Sequence, residues 1–200
     1  MSDSARARVN IAVFASGEGT NFARLVEAAQ CGALGSVDVA LLVSDKPGCG
    51  AVTIAKERGI PVYAQTHKEA GGRDAFEQMA HRVMSERSIA FAVLAGYMRI
   101  VGQTLLASVP MINIHPSYLP AHKGLDAIGQ ALCDGSPYTG VTVHRVDASL
   151  DGGEILQQVR IPIFAGDDRA TLQARIQQVE HWLLPAVVRD LVLLSEFCGR

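Results

Sequence analysis

The segment Met111-Ile112-Asn113-Ile114-His115-Pro116-Ser117 alternates apolar and polar residues and ends on an amide and an imidazole two positions apart. In an extended strand residues i and i+2 point to one face, so Asn113 and His115 are expected side by side. Displayed at the carboxyl end of a strand in an open α/β sheet, they suit acyl chemistry, which needs donors for an oxyanion. The plainer alternative is a hydrogen-bonded core histidine beside a turn-forming asparagine. Asp151, in Leu150-Asp151-Gly152-Gly153, is by itself most simply a turn former. It joins the chemistry only if its turn folds back over His115, where a carboxylate favours imidazolium and orients the ring.

A second candidate site is Ser16-Gly17-Glu18-Gly19-Thr20-Asn21, which follows the apolar run Val9 to Ala15 and precedes Phe22, Leu25, Val26 and Ala29 at helical spacing. A glycine turn between strand and helix turns backbone N–H groups and the positive helix end toward an anion, and phosphate is the natural ligand. The third glycine of a dinucleotide fingerprint is absent, since Phe22 stands there, and no Gly-Lys-Ser/Thr follows to make a Walker A loop. Asp45 could serve as a ribose acid in a dinucleotide site, but it reads more simply as the start of the turn Ser44-Asp45-Lys46-Pro47-Gly48.

These groups must be positioned by alternating elements. Val37 to Val43, Ile89 to Leu94 and Met111 to Ile114 read as strands, with Ile60-Pro61-Val62 an extended entry to another. Ala51 to Arg58, closed by Gly59, and Arg73 to Glu86, apolar at Phe76, Met79, Ala80 and Val83, read as helices. Such alternation predicts an α/β fold: one doubly wound, mostly parallel sheet with a Rossmann-like N-terminal half. After Pro116, Thr139 to Val146 and Ile155 to Ile163 read as strands paired through the Asp151 turn, so the sheet becomes mixed. Thr171 to Leu194 reads as one long helix bent at Pro185. Nothing divides residues 1–200 into two domains, and residues 1–8 are expected to be a flexible N-terminus.

The 200 residues are 48% hydrophobic with a formal net charge of −2, enough for one substantial core and without a global attraction for nucleic acid. Cys31, Cys49, Cys133 and Cys198 form no C-x-x-C pair and are expected to be reduced thiols. The run Ile11 to Ala15 is too short for a signal or membrane segment, so the expected compartment is the cytoplasm.

In order along the chain, Ser16 to Asn21, Leu94-Ala95-Gly96-Tyr97-Met98-Arg99-Ile100, Asn113-Ile114-His115-Pro116-Ser117-Tyr118-Leu119-Pro120, Gly140-Val141-Thr142-Val143-His144 and Leu150-Asp151-Gly152-Gly153 resemble the glycinamide ribonucleotide transformylases. The resemblance covers about residues 9 to 190. Its Asn-x-His-Pro and Asp-Gly-Gly elements are shared by all 10-formyltetrahydrofolate-dependent formyltransferases, while the Ser-Gly-x-Gly-Thr-Asn loop is more particular to the purine enzymes. The resemblance implies a cytoplasmic enzyme that moves a formyl group from 10-formyltetrahydrofolate to the amine of glycinamide ribonucleotide, with no metal. It implies catalytic roles for Asn113, His115 and Asp151. Gly17, Glu18, Gly19, Thr20 and Asn21 would receive the substrate phosphate, and Gln177 and Glu180 would hold the rest of that substrate. Met98, Arg99, Ile100 and Val101 would line the folate pocket, with Asn113 beside it. Arg73 would meet the folate's glutamate tail, and Asp147, Ala148, Ser149, Leu150 and Asp151 would wrap its pteridine.

Each residue also has a plainer reading. Gln177 and Glu180 could be a solvated helix face, Arg73 a surface charge, and Met98 with Ile100 ordinary core. His67, His81, His122 and His181 stand without metal-ligand spacing, whereas His144 matches a family histidine in a supporting role. Asp126 and Ile128 stand where the family usually has histidines, beside the amine substrate, and an acid there would repel phosphate unless it faces away. The chain also ends soon after the long helix, without the family's usual extension, and 200 residues leave no room for the extra domains of initiator-tRNA formyltransferases or formyltetrahydrofolate deformylases. The alternatives are a formyltransferase acting on another phosphorylated or sugar amine, and a catalytically silent folate- or nucleotide-binding relative. Partners are small molecules, with neither nucleic acid nor membrane expected; monomer and homodimer both stay open.

Overall fold

The structure, a computed structural model, describes residues 8–194. The flexible stretch expected over residues 1–8 therefore falls almost wholly outside the described residues, as does Cys198. Seven strands form one sheet in the order β3-β2-β1-β4-β5-β6-β7. They are β1 (Val9–Phe14), β2 (Val37–Ser44), β3 (Val62–Ala64), β4 (Ile89–Leu94), β5 (Met111–His115), β6 (Tyr138–Arg145) and β7 (Ile155–Pro162). The first five run parallel, and β6 is antiparallel to both β5 and β7, which is the expected change to a mixed sheet.

Strand alternation sends β1 side chains into two cores. Ile11, Val13 and Ala15 pack on one face with Phe22 and Leu25 of α1 (Thr20–Gln30), Ala51 of α2 (Gly50–Glu57), and Leu172, Leu183 and Val188 of α6 (Arg169–Leu193). Ala12 and Phe14 pack on the other with Phe76 and Met84 of α3 (Arg73–Glu86) and Leu105 of α4 (Gln103–Leu106). Helices on both faces leave the carboxyl ends of the parallel strands as the open edge where ligands bind in such sheets. Arg169 rather than Thr171 opens α6, because Asp168 and Thr171 form a capping box that fixes the start. The helix runs through Pro185 to Leu193. Two short helices, α4 and α5 (Ala127–Cys133), lie in stretches whose sequence offers too few turns for a helical period.

Candidate active site

Asn113 and His115 do share one face of β5. The register of β5 with β6 sets Asn113 opposite His144 and His115 opposite Thr142, so His144 joins the same face. His144 donates from Nδ1 to the Arg145 carbonyl at 2.8 Å, which leaves its Nε2 to accept from the Asn113 amide nitrogen at 3.1 Å. One N–H of Asn113 is thereby committed and the second is free for a ligand. Thr142 fastens the loop that follows His115, donating to the Ser117 carbonyl at 2.7 Å and accepting from Leu119 N at 3.2 Å.

The hairpin connection between β6 and β7 folds back over this face. Asp151, left-handed at φ 45°, lies 3.6 Å from Nδ1 of His115 and 3.6 Å from Nε2 of His144, and accepts from Gly124 N at 2.8 Å. The His144 imidazole, when that ring carries a proton on Nε2, holds the Asp151 carboxyl down to about 2, against partial burial, with Gly124 and His115 adding to the effect. His115 responds differently. Burial is the largest influence and pushes its imidazole below the ordinary value, against the His122 carbonyl and the Asp151 carboxylate. Burial therefore works against the His115 imidazolium in the free site, and the nearness of Asp151 offsets only part of that effect.

Gly153 makes the fold-back possible, since a Cβ there would collide with the carbonyl oxygen of Arg145. We expect Gly153→Ala to lower the melting temperature, at a cost on the order of 1–3 kcal/mol for overpacking, and to cut activity by displacing Asp151. Thermal unfolding together with an activity assay checks this, and a variant matching the wild type in both would show that the turn tolerates displacement.

At the end of β1, α1 begins at Gly19 (φ 80°) with no side-chain cap and no acidic residue in its first turn, so its first N–H groups stay open for an anion. The loop interlocks with the start of α2: a Cβ on Gly19 would lie 2.6 Å from the Ala51 Cα, and one on Gly50 would lie 2.6 Å from the Glu18 carbonyl oxygen. Asn21 donates to Glu180 at 2.9 Å. Glu180 is not a solvated helix residue: it is buried, and burial raises its carboxyl pKa against the Asn21 hydrogen bond. The Oδ1 of Asn21 is buried without a partner. Gln177 is half-buried on the same helix. Exposed Lys46 lines the cleft beside Gly17 and Glu18, a cation that the sequence reading did not single out.

Two buried carboxylates hold the loop after β4. Asp45 accepts from Ser16 Oγ at 2.5 Å and from Arg99 Nε at 2.7 Å, while Ser16 Oγ accepts from Met98 N at 3.1 Å. Burial opposes the charge of Asp45, but Ser16 and Arg99 outweigh it and keep the carboxyl below its ordinary value. Asp45 is thus a tie between β1, β2 and the β4 loop; Ser44 serves the turn instead, accepting from Lys46 N at 3.1 Å. Glu77, buried on α3, accepts from Gly102 N at 2.7 Å. Held this way, the loop leaves Met98 56% and Ile100 71% exposed, so neither is ordinary core. Leu150 is also 56% exposed on the hairpin turn. Val101 packs against the second core, and Arg73, at the start of α3, lies 3.6 Å from Asp74 and 4.0 Å from Glu77. In the turn, Asp147 accepts from Ser149 N at 2.8 Å.

The acid at position 126 is engaged within the protein. Asp126 caps α5 through Gly129 N at 3.3 Å and pairs with Arg169, which keeps its carboxyl below the ordinary value. Ile128 is buried in the first core. His122, for which the sequence offers no metal-ligand spacing, is bonded to Asp134 through its ring and to His115 through its carbonyl. Among the described residues no group of three or more His, Cys, Asp or Glu side chains is arranged to hold a metal ion. No helix there is long and apolar enough to cross a membrane.

A doubly wound sheet with an amide, an imidazole and a carboxylate converging beyond one strand, and an uncapped helix start beyond another, has the architecture of an acyl-transfer enzyme. The comparisons narrow this class: residues 9–188 match the family described as formyl transferase, and the chain belongs to that family. It is 40% identical over 186 residues to the phosphoribosylglycinamide formyltransferase of Bacillus subtilis, covering 92% of this chain and 95% of that one. Its fold matches glycinamide ribonucleotide transformylase 1 of Geobacillus kaustophilus with a TM-score of 0.88 at 45% identity, over 92% of this chain and 98% of the other. It is also 36% identical to a part of the trifunctional purine biosynthetic protein adenosine-3 of Drosophila melanogaster, over 92% of this chain and 14% of that protein.

Proposed function

We propose that this protein is a cytoplasmic enzyme transferring the formyl group of 10-formyltetrahydrofolate to the primary amine of glycinamide ribonucleotide in purine biosynthesis. The observation that carries the reading is the convergence of Asn113, His115 and Asp151 on one face, with Asp151 3.6 Å from the His115 imidazole. The folate supplies a formyl group already activated for attack by an amine. The exposed apolar side chains of Met98, Ile100 and Leu150 suit its flat ring, with Arg99, Val101 and Asp147 to Asp151 completing the surface and Arg73 meeting the glutamate tail. As the amine adds, negative charge grows on the formyl oxygen. The free N–H of Asn113 donates to it, and His115, once it has taken up a second proton from solvent at Nδ1, is a charge-assisted donor. Asp151 stabilises this imidazolium and, directly or through water, receives the surplus amine proton; the adduct then collapses with cleavage of the bond from the formyl carbon to N10, which takes up a proton as tetrahydrofolate leaves.

The acceptor is recognised at both ends. The loop Gly17 to Asn21 takes the phosphate through backbone N–H groups and the helix end, while Glu180, Gln177 and the unpartnered Oδ1 of Asn21 accept hydrogen bonds from the remainder of the molecule. Asp126, paired with Arg169, leaves that phosphate unopposed. The test is to incubate the protein with 10-formyltetrahydrofolate and a panel of amines that includes glycinamide ribonucleotide, its dephosphorylated form and amino sugars. We expect transfer to the ribonucleotide, with affinity falling on the order of 10- to 100-fold when the phosphate is removed, as loss of charged hydrogen bonds implies. Equal use of the dephosphorylated amine would point to a different acceptor, and release of free formate alone would rule out a transferase.

A further inference from the structure

His122 has no part in the chemistry above, yet it is fastened to the site at two points. Its backbone is left-handed at φ 54°, a conformation that a residue with a Cβ keeps only where its surroundings hold it. Its carbonyl lies 2.9 Å from Nε2 of His115, and its own Nε2 lies 2.6 Å from Oδ2 of Asp134, the residue that caps the C-terminus of α5. Facing a carboxylate, that Nε2 carries the proton in either charge state. The other ring nitrogen, Nδ1, is buried without a partner, so Asp134 is the ring's single polar anchor in the structure. The hydrogen bond from His122, with Ser136 adding to it, holds the Asp134 carboxyl down to about 2, and the acceptor is ionised throughout the neutral range.

We propose that Asp134 and His122 are positioning residues for His115: their side-chain pair fixes the backbone at position 122, and its carbonyl then claims the Nε2 proton of His115. This inference rests on the role given to His115 above. A carbonyl can only accept, so His115 must be protonated at Nε2. Its Nδ1 is therefore the nitrogen that faces Asp151 at 3.6 Å and gains the second proton. Releasing the carbonyl lets the neutral ring exchange between its two tautomers and removes an influence that favours imidazolium. Half-exposed Asp134 touches neither of the proposed substrate contacts, so turnover falls while substrate affinity does not.

The experiment compares Asp134→Ala and Asp134→Asn with the wild type by imidazole nitrogen NMR of His115 and by steady-state kinetics. Wild-type His115 is expected in the Nε2–H tautomer. Asp134→Ala should show a mixture of tautomers and a kcat lower by about tenfold, the low end for loss of an orienting partner, with both KM values unchanged. Asp134→Asn, whose amide oxygen can still accept from His122, should restore the tautomer and most of the rate. An unchanged His115 tautomer in Asp134→Ala would overturn the proposal, as would a loss that Asn does not rescue. A shifted tautomer with wild-type kcat would support the positioning link and count instead against the role of His115 in transfer.

Discussion

Asp151→Asn is expected to lower turnover by about 10²- to 10⁴-fold, the usual worth of a positioned acid–base group, while the affinity for glycinamide ribonucleotide changes little. Asparagine has nearly the same shape and can still accept from Gly124 N, as Asp151 does at 2.8 Å, so the turn should hold. What disappears is the negative charge 3.6 Å from both His115 and His144. Burial already pushes His115 below its ordinary pKa, and Asp151 is one of the two influences opposing it. Without that charge the pKa falls further, and imidazolium, present only below its pKa, becomes scarcer at pH 7. The ratio of variant to wild-type rate should therefore rise as the pH is lowered, because acid restores the imidazolium. Amine protonation affects both proteins alike and cancels in the ratio. A ratio independent of pH would separate Asp151 from the charge of His115.

The second large effect is expected at Asn113. Replacing it with alanine removes the donor assigned to the developing oxyanion, a loss worth about 10²- to 10³-fold in kcat. KM should move little, because the interaction strengthens only in the transition state. The change also strips the buried Nε2 of His144 of its amide donor at 3.1 Å, so stability should fall by about 1–3 kcal/mol. Measuring kcat, KM and thermal unfolding together separates the two consequences. A variant that loses stability but keeps kcat would make Asn113 a partner of His144 and nothing more.

Much of this arrangement was legible in the sequence because it depends on local spacing. Strand alternation through Asn113 and His115 put both side chains on one face, and two glycines between an apolar run and a helix marked the anion loop. Mostly parallel order followed from the alternation of strands and helices, and the switch to a mixed sheet from paired strands around the Asp151 turn. What escaped depends on distant segments meeting. Asp45 looked like a turn residue because its partners Ser16 and Arg99 lie 29 and 54 positions away. The pairing of Asn113 with His144 needs the β5–β6 register, which no local pattern encodes. His122 and Asp134, only 12 positions apart, meet because a short helix that was not foreseen turns the chain between them. Resemblance to a family supplied the expectation that the Asp151 turn folds back over His115, something that spacing alone could not give. The downward push on the His115 pKa was beyond both, since it follows from how deeply the ring is buried.

If His115 and Asp151 act as one unit on the formyl oxygen, a single-turnover double-mutant cycle will show it. Formyl transfer from 10-formyltetrahydrofolate to glycinamide ribonucleotide would be followed in the wild type, Asp151→Asn, His115→Asn and the double variant, all with substrates saturating. Residues that work as a unit are strongly non-additive, so the double variant is expected to be little slower than the slower single variant. Losses that multiply in the double variant would mean that the two residues contribute independently and do not form a unit.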